Sequence, residues 1–231
     1  MARAAPPDRL DQLTAAAVDV FIERGYRRTQ MADVARAMGV APGTLYLYVA
    51  SKEALFDLVL RRAFVDGASE PIDSLPLPTP AAGEILARLR HRCERETRVP
   101  ALASALARKR PPNPQVELTE ILGQLYQLMA RLRRAVKLIE RSALDWPELA
   151  ELYTRQVRQP LIDDLSAYLR RGVEAKRLHR LPHPEIAARL LIESTAWFAM
   201  HRHGDLQRQP IADEAALATI TDVLLHGLLK E

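Results

Sequence analysis

The chain has 231 residues, one cysteine, and a formal net charge of +4 from 33 Lys+Arg against 29 Asp+Glu. Apolar residues make up 48% of it, which excludes a disordered chain and predicts the buried core of one mid-sized domain or two small ones. A lone cysteine excludes an intramolecular disulfide framework and favours a reducing, cytoplasmic location. The sequence has no signal-peptide core and no long uncharged apolar stretch, so we expect no membrane contact.

The basic excess indicates nucleic acid as a partner, but its distribution weakens that argument. Residues 1–65 carry nine Lys+Arg and seven Asp+Glu. Residues 66–80 carry no Lys+Arg and three Asp+Glu, and residues 81–231 carry 24 Lys+Arg and 19 Asp+Glu. The excess is therefore slight in every part of the chain. Charge alone predicts DNA binding only weakly.

Apolar residues at three- and four-residue steps predict helices along almost the whole chain. In the N-terminal part these residues are Leu10, Leu13, Ala17, Val20 and Phe21, then Met31, Val34, Ala35 and Met38, then Leu55, Phe56, Val59, Leu60 and Phe64. Further amphipathic segments cover roughly 81–98, 101–109, 115–142, 147–178, 184–202 and 211–229. Aromatic residues make up only 5% of the chain, and no run of alternating β-branched residues occurs. The sequence therefore predicts an all-α protein.

Prolines divide this helical pattern. The stretch from Gly67 to Pro80 holds four prolines and no basic residue, which is typical of a linker. We therefore predict a small N-terminal helical domain over residues 1–65, a Pro-rich linker over 66–80 and a larger helical domain over 81–231. Pro160 interrupts an otherwise continuous run, so it should kink or divide that helix.

The most informative stretch runs from Thr29 to Lys52. It begins with a helix whose inner face carries Val34 and Ala35. That helix should end at Gly39, because glycine suits the left-handed conformation just beyond a helix end. A tight turn back into the core should follow.

A second, short helix is predicted after the turn, with Pro42 in its first turn, where the missing N–H costs little. Leu45 and Val49 are four residues apart and should face the preceding helix. Ser51 can then cap a third helix that begins at Lys52. Two short helices joined in this way are typical of a helix-turn-helix, whose second helix enters the major groove of DNA.

The same pattern also occurs in helical hairpins whose only role is packing, so the pattern by itself leaves packing and DNA binding open. The outward residues of the second helix favour DNA. They include Thr44, Tyr46 and Tyr48, whose hydroxyl and phenol groups suit contacts with phosphates and base edges. Such a crowded set has little use on an ordinary solvated face.

The segment from Arg9 to Phe56 resembles the N-terminal domain of the TetR family of bacterial transcriptional regulators. The resemblance rests on Phe21 to Tyr26, Thr29, Asp33 to Ala35, Gly39 to Ala41, Gly43 to Tyr46, Tyr48 and Ser51 to Phe56. It implies a homodimer in which an N-terminal three-helix helix-turn-helix domain reads operator DNA. It also implies that the larger helical domain binds an effector and forms the dimer.

The resemblance implies a set of DNA-contacting residues, to which Arg28 is added for its charge. The set is Arg28, Thr29, Gln30, Pro42, Gly43, Thr44, Tyr46, Leu47, Tyr48 and Lys52. Family members bind phosphate at the positions of Thr29, Gln30 and Lys52, although Ser or Thr usually stands where this chain has Gln30. They touch base edges at Pro42, Gly43 and Leu47, and backbone or base edges at Thr44, Tyr46 and Tyr48.

Leu47 departs from the polar or larger aromatic residue that is often found at its position. A leucine cannot hydrogen-bond a base, but it can contact the methyl group of thymine. We therefore expect specificity to depend partly on other contacts or on DNA shape.

The last two helical segments carry apolar residues over arcs wider than one helix needs against its own core. This predicts a four-helix dimer interface, and the alternative is deep burial inside one subunit. The predicted interface residues are Leu190, Trp197, Leu217, Ile220, Leu224 and Leu228.

An effector pocket is predicted from apolar side chains on successive helices, each of which is otherwise a core residue. The candidates are Leu125, Tyr126, Met129, Tyr153, Val157 and Trp197. A lining of this kind, with few polar anchors, suits a small hydrophobic or aromatic effector.

Enzyme chemistry has little support in the sequence. His201 and His203 are two residues apart and diverge on a helix, whereas helical metal ligands lie four apart. No glycine-rich phosphate loop is present, and Cys93 lies in an apolar helical run that favours an inert thiol. We expect no catalytic activity, no cofactor and no metal.

The leading prediction is a cytoplasmic repressor that a small hydrophobic or aromatic effector releases from a palindromic operator. The alternative is a helix-turn-helix regulator that works without a small ligand, either as an activator or under the control of a protein partner.

Overall fold

Helices form nearly all of the regular structure in the computed structural model, which describes residues 7–64, 72, 74–110, 112–204 and 210–229. The N-terminal helices are α1 (Pro7–Arg24), α2 (Met31–Met38), α3 (Pro42–Leu45), α4 (Lys52–Ala63), α5 (Glu84–Glu96) and α6 (Pro100–Ala107). The others are α7 (Pro114–Ala143), α8 (Pro147–Tyr153), α9 (Gln159–Glu174), α10 (Pro184–Ala199) and α11 (Asp213–His226). Among the described residues, extended backbone pairs only at isolated bridges. The prediction of an all-α protein is confirmed.

The chain forms two compact units, and each draws on two separate stretches of sequence. One comprises Met1–Arg92 with Arg134–Tyr153, and the other comprises Cys93–Arg133 with Thr154–Glu231. Helix α7 therefore gives its first part to the second unit and its end to the first. The domain boundaries inferred from the sequence stay a prediction, and residues 66–71 and 73 of the predicted linker lie outside the described residues.

The end of the predicted linker is hydrogen-bonded to the N-terminal helices. The Ala50 N–H donates to the Leu77 carbonyl and the Leu77 N–H donates to the Tyr48 carbonyl, each at 2.8 Å. These two bonds make a short parallel bridge between Val49 and Leu77. The backbone just after α3 is thereby fixed.

The core of the first unit lies where α1 packs against α2 and α4. Its fully buried side chains include Leu13, Ala17, Phe21, Val34, Leu45, Leu55, Phe56 and Val59. The rings of Phe21 and Phe56 meet edge to face, with centroids 5.0 Å apart and an interplanar angle of 75°. The apolar spacing that predicted these helices therefore corresponds to the faces that they bury.

The second unit has its own core, in which α9 packs against α6 and α10, and α10 packs against α11. Buried members include Leu102, Leu118, Ile121, Leu122, Leu125, Leu165, Leu169, Leu191 and Leu225. Pro160 divides a helix here as predicted, because Thr154–Arg158 forms a π-helical turn and α9 begins at Gln159. The proline lacks the N–H that would continue the α-helical ladder into the preceding turn.

Cys93 is buried at 1% exposure and has no disulfide partner. Burial raises the pKa of its thiol to about 12, and Glu96 and Glu94 add to the effect. A thiol with so little thiolate at neutral pH is a poor nucleophile, as the sequence predicts.

Within the described ranges, no helix combines the length and the apolar content needed to cross a bilayer. The same residues include no group of three or more His, Cys, Asp or Glu side chains that could hold a metal ion.

Candidate nucleic-acid interface

Helix α2 and the turn after it have the predicted conformation. Gly39 adopts φ 67° and ψ 31°, in the left-handed region that a side chain disfavours. The Val40 N–H donates to the Ala35 carbonyl at 3.0 Å, which satisfies one of the last carbonyls of α2 and turns the chain sharply. Glycine is therefore required at this turn.

Helix α3 begins at Pro42 and packs back on α2. Leu45 and Val49 are completely buried, and Ala35 on the facing helix is exposed by only 1%. A small residue at the crossing lets the two helix backbones approach closely. Ser51 then caps α4 by accepting a hydrogen bond from the Ala54 N–H at 3.2 Å, also as predicted.

Two large apolar side chains remain exposed beside this buried face. The exposed fraction is 49% for Tyr46 and 66% for Leu47. Pro42 and Gly43 are exposed at the start of α3, and Thr44 is half-buried. These five neighbouring residues form the α3 surface, and it carries no formal charge.

Two predicted DNA contacts lie inside the unit. Thr29 is exposed by only 1%, and its hydroxyl donates to the Gly25 carbonyl at 2.8 Å. Tyr48 is exposed by only 5%, and its carbonyl accepts the bond from Leu77 described above. Any contact that these two residues make with DNA stays a prediction.

Gln30 is exposed at the N-cap of α2, where an anion would be stabilised by free N–H groups. Asp33 already uses this position, because its Oδ2 accepts the Gln30 N–H at 3.0 Å. Arg24 lies 2.8 Å from Asp33 Oδ1, and Arg36 lies 3.2 Å from it. The Gln30 N–H and then these arginines hold the pKa of Asp33 below its usual range.

Lys52 is half-buried at the start of α4. Its Nζ donates to the Tyr26 carbonyl at 3.2 Å and to the Arg27 carbonyl at 3.3 Å, and it lies 4.7 Å from the centroid of the Tyr26 ring. Two carbonyls and one aromatic face therefore fix the direction of this ammonium group.

The end of α7 contributes residues to this site that the sequence did not indicate. The indole of Trp146 lies against Tyr26, with ring centroids 5.0 Å apart. Asp145 Oδ2 lies 3.5 Å from Nε of Arg28, and the Arg141 side chain donates to the Glu23 carbonyl at 3.0 Å. No local pattern could have paired residues so far apart in the chain.

Gly25 permits this close approach. It adopts φ +82°, and a Cβ placed on it would lie 3.2 Å from the Arg141 carbonyl oxygen and 3.4 Å from Asp145 Oδ2. A side chain at this position would push the end of α7 away from the turn after α1.

A cluster of charges joins α4 to α5 in the same unit. Asp57 is buried, and its carboxylate is bonded by Arg88 and lies 3.3 Å from Nε of Arg61. Burial raises the pKa of Asp57, and the two arginines oppose that effect. Glu84 also pairs with Arg88, so the charges of this cluster compensate one another.

The predicted effector residues do not lie together in one unit. Tyr153 belongs to the first unit and the other five belong to the second. Of those five, Leu125 and Tyr126 are buried, Met129 and Val157 are half-buried, and Trp197 is 44% exposed. The Tyr126 hydroxyl donates to Asp213 Oδ1 at 2.8 Å, a polar contact beside the apolar core.

The predicted dimer residues differ in exposure. The exposed fraction is 60% for Leu190 and 44% for Trp197, whereas Leu217 and Leu224 are half-buried. Ile220 and Leu228 are buried within the protomer, each at 6% exposure. Ile186 and Val223 are also exposed, each at 63%. Ile186, Leu190, Trp197 and Val223 are named the α10–α11 surface below.

The sequence similarity to a known protein family covers the helix-turn-helix segment. Residues 13–59 match the family described as "Bacterial regulatory proteins, tetR family". The chain is 48% identical over 42 residues to the "Fatty acid metabolism regulator protein" of Bacillus subtilis, covering 18% of this chain and 22% of that protein. It is 35% identical over 77 residues to the "HTH-type transcriptional repressor KstR2" of Mycobacterium tuberculosis, covering 29% and 38%. The chain thus spans less than half the length of these relatives.

The fold is shared over a longer stretch. The structure of the ketosteroid transcriptional regulator KstR2 of Mycobacterium tuberculosis superposes with a TM-score of 0.58 and 18% identity, over 100% of both chains. At that identity the likeness concerns the fold alone, an N-terminal helix-turn-helix followed by a helical body. Residues 13–59 are thus similar to the tetR family of bacterial regulatory proteins, and the fold of the chain is similar to that of a solved regulator.

Proposed function

We propose that this protein is a DNA-binding transcriptional regulator that works as a homodimer. It acts as a repressor and leaves a palindromic operator when a small hydrophobic or aromatic effector binds. The observation that carries the proposal is the α3 surface, in which Tyr46 and Leu47 stay exposed beside a fully buried Leu45.

Tyr46 and Leu47 are adjacent and exposed just after so short a helix, and together they offer an apolar contact to a partner. The major groove offers thymine methyl groups to Leu47 and hydrogen-bonding base edges and phosphates to Tyr46. Gly43 leaves room for the DNA backbone to come close, and a Cβ placed on it would meet no atom within 4 Å. Contacts with bases and phosphates at this surface therefore fit its chemistry.

The α10–α11 surface supports the dimer. Its three α10 residues recur at positions 186, 190 and 197, so they share one face of that helix. A second copy related by a two-fold axis would cover this face and present two helix-turn-helix units. Two such units match the two half-sites of a palindrome.

The effector stays the least defined partner. Leu125 belongs to the apolar core of the second unit and Met129 packs against it, and the Tyr126–Asp213 contact adds one polar anchor. The name of the Bacillus subtilis relative refers to fatty acid metabolism, and the solved structure of KstR2 is described as that of a ketosteroid regulator. Both are largely apolar classes, so a long-chain fatty acid and a ketosteroid are suitable first probes.

The test is selection of duplexes from a random-sequence pool, followed by measurement of affinity with and without each probe. A palindromic sequence that is enriched, and released by one probe, is the expected result. Leu47→Asp should abolish the enrichment, because a carboxylate would face phosphates. Val116→Asp is the matched control, since Val116 is also exposed, at 61%, but lies on α7.

Three outcomes contradict parts of the proposal. If no sequence is enriched, the protein is not a sequence-specific regulator. If Leu47→Asp binds as the parent does, the α3 surface is not the reader. If a palindrome is enriched but neither probe releases it and another protein co-purifies, a regulator controlled by a protein partner replaces the ligand-responsive repressor.

A further inference from the structure

We infer that Asp145 and Trp146, which follow the end of α7, are positioning residues for DNA binding. They act through two cations on the helix-turn-helix side of the first unit. Trp146 acts on Lys52 through Tyr26, and Asp145 acts on Arg28. The inference rests on the proposed DNA-binding function and names the residues that orient its charged contacts.

The first step is the contact between the two rings. Trp146 lies 5.0 Å from Tyr26 and 6.0 Å from Phe56, measured between ring centroids, and Tyr26 lies 4.7 Å from Phe56. Three aromatic rings thus pack together where the turn after α1 meets α4. Removing the indole would take away one wall of the site in which the Tyr26 ring is held.

The second step runs from Tyr26 to Lys52. The Tyr26 hydroxyl donates to Glu53 Oε1 at 3.0 Å, and the lysine next to Glu53 places its ammonium over the same ring. Burial, followed by Glu53, raises the pKa of the Tyr26 phenol, so the hydroxyl remains a donor at neutral pH. Both the ring and the backbone of Tyr26 therefore define where the ammonium of Lys52 lies.

The third step concerns Arg28. Its side chain is 67% exposed, and its described ionic contact is with Asp145 at 3.5 Å. An exposed arginine loses much side-chain entropy when it is held in one direction, and a fixed partner lowers that loss on binding. Two adjacent residues at the end of α7 thus engage two separate cations of the predicted DNA contacts.

The asparagine variant of Asp145 gives opposite outcomes for two explanations. A carboxylate that only weakens the positive field near DNA would, when neutralised, let DNA bind more tightly. A carboxylate that positions Arg28 would, when neutralised, let DNA bind more weakly. We expect Asp145→Asn to weaken binding of the selected duplex by about threefold to tenfold, as for loss of one oriented phosphate contact.

Double-mutant cycles test the route through each cation. Trp146→Ala should lower the affinity for the selected duplex by about tenfold and reduce the salt slope by about one unit, as loss of Lys52 would. Combined with Lys52→Ala, it should add almost nothing, because both changes remove the same contact. The same non-additivity is expected for Asp145→Asn with Arg28→Ala. Leu144→Ala is the matched control, since this neighbour is 70% exposed.

The inference is overturned if the losses of affinity in the two single variants of either cycle multiply in the double variant. It is also overturned if the Asp145→Asn variant binds as tightly as the parent or more tightly. If Trp146→Ala does not fold, Trp146→Leu takes its place, because it removes the aromatic ring but keeps most of the volume, and an unchanged salt slope there also overturns the inference. A parent protein that binds no duplex contradicts the proposed function instead, so the two failures are distinguishable.

Discussion

Two exposed apolar surfaces, one on α3 and one on α10 and α11, differ in extent and in surroundings. The α3 surface has two large side chains in the turn that follows a four-residue helix, next to a proline, a glycine and a threonine of that helix. On α10, apolar residues at 186, 190 and 197 extend over about three turns of one face. A groove of DNA needs a few side chains at the tip of a helix, whereas a protein partner needs a broad area. The difference predicts different partners for the two surfaces.

A charge on the broad surface should have the largest effect. We expect Leu190→Arg to leave a monomer at micromolar concentration, because like charges would meet across a two-fold axis. Operator affinity should fall by about a hundredfold or more, since only one half-site is then bound per molecule. Analytical ultracentrifugation and duplex titration measure the two effects.

Val116→Arg is the control for this change, because it adds the same charge at an exposed apolar residue of another helix. A Leu190→Arg variant that remains dimeric would show that the α10–α11 surface has another role.

Truncation of two nearby leucines distinguishes the buried core from the exposed α3 surface. Leu45 is completely buried, so Leu45→Ala should lower the free energy of unfolding by about 2–5 kcal/mol. Leu47→Ala should change it by less than about 0.5 kcal/mol, since Leu47 is largely exposed. Urea denaturation measures both, and equal losses would mean that Leu47 packs in the core.

Removal of Lys52 should have a moderate effect on binding. We expect Lys52→Ala to weaken all duplexes by about tenfold and to reduce the slope of log affinity against log salt by about one unit. Fluorescence anisotropy over a series of salt concentrations measures it. An unchanged slope would remove Lys52 from the phosphate contacts.

The smallest effect should come from Leu47→Ala, and it should concern selectivity more than affinity. Loss of a contact with a thymine methyl group should lower the preference for the selected duplex over one substituted variant by a few-fold. Competition between duplexes measures this preference. Val116→Ala should leave it unchanged, and an unchanged preference in Leu47→Ala would place base reading on other residues.

Local signals in the sequence were sufficient to predict several helix ends, within the helix-turn-helix and beyond it. The left-handed Gly39, the Ser51 cap and the division at Pro160 each depend on residues within a few positions of one another. Such features follow from backbone sterics and hydrogen bonds that form whatever the rest of the chain does.

The role of each polar side chain at the site was less predictable. Thr29 and Tyr48 have the residue types of DNA contacts, yet both are buried, and the Thr29 hydroxyl donates to the Gly25 carbonyl. Gln30 stands at an N-terminus whose free N–H is already accepted by Asp33. Residue type states what a side chain is able to bind, whereas burial and competing partners decide whether it is available.

The sequence by itself determined that this chain is all-α, that residues 13–59 resemble a tetR-family helix-turn-helix, and where its helices turn, because these follow from short-range periodicity and capping. Only the tertiary structure decided which leucines face solvent, since Leu190 and Leu228 have the same chemistry but 60% and 6% exposure. It also decided that Asp145 and Trp146 meet Arg28 and Tyr26. Contacts between residues far apart in the chain depend on packing, which no local pattern encodes.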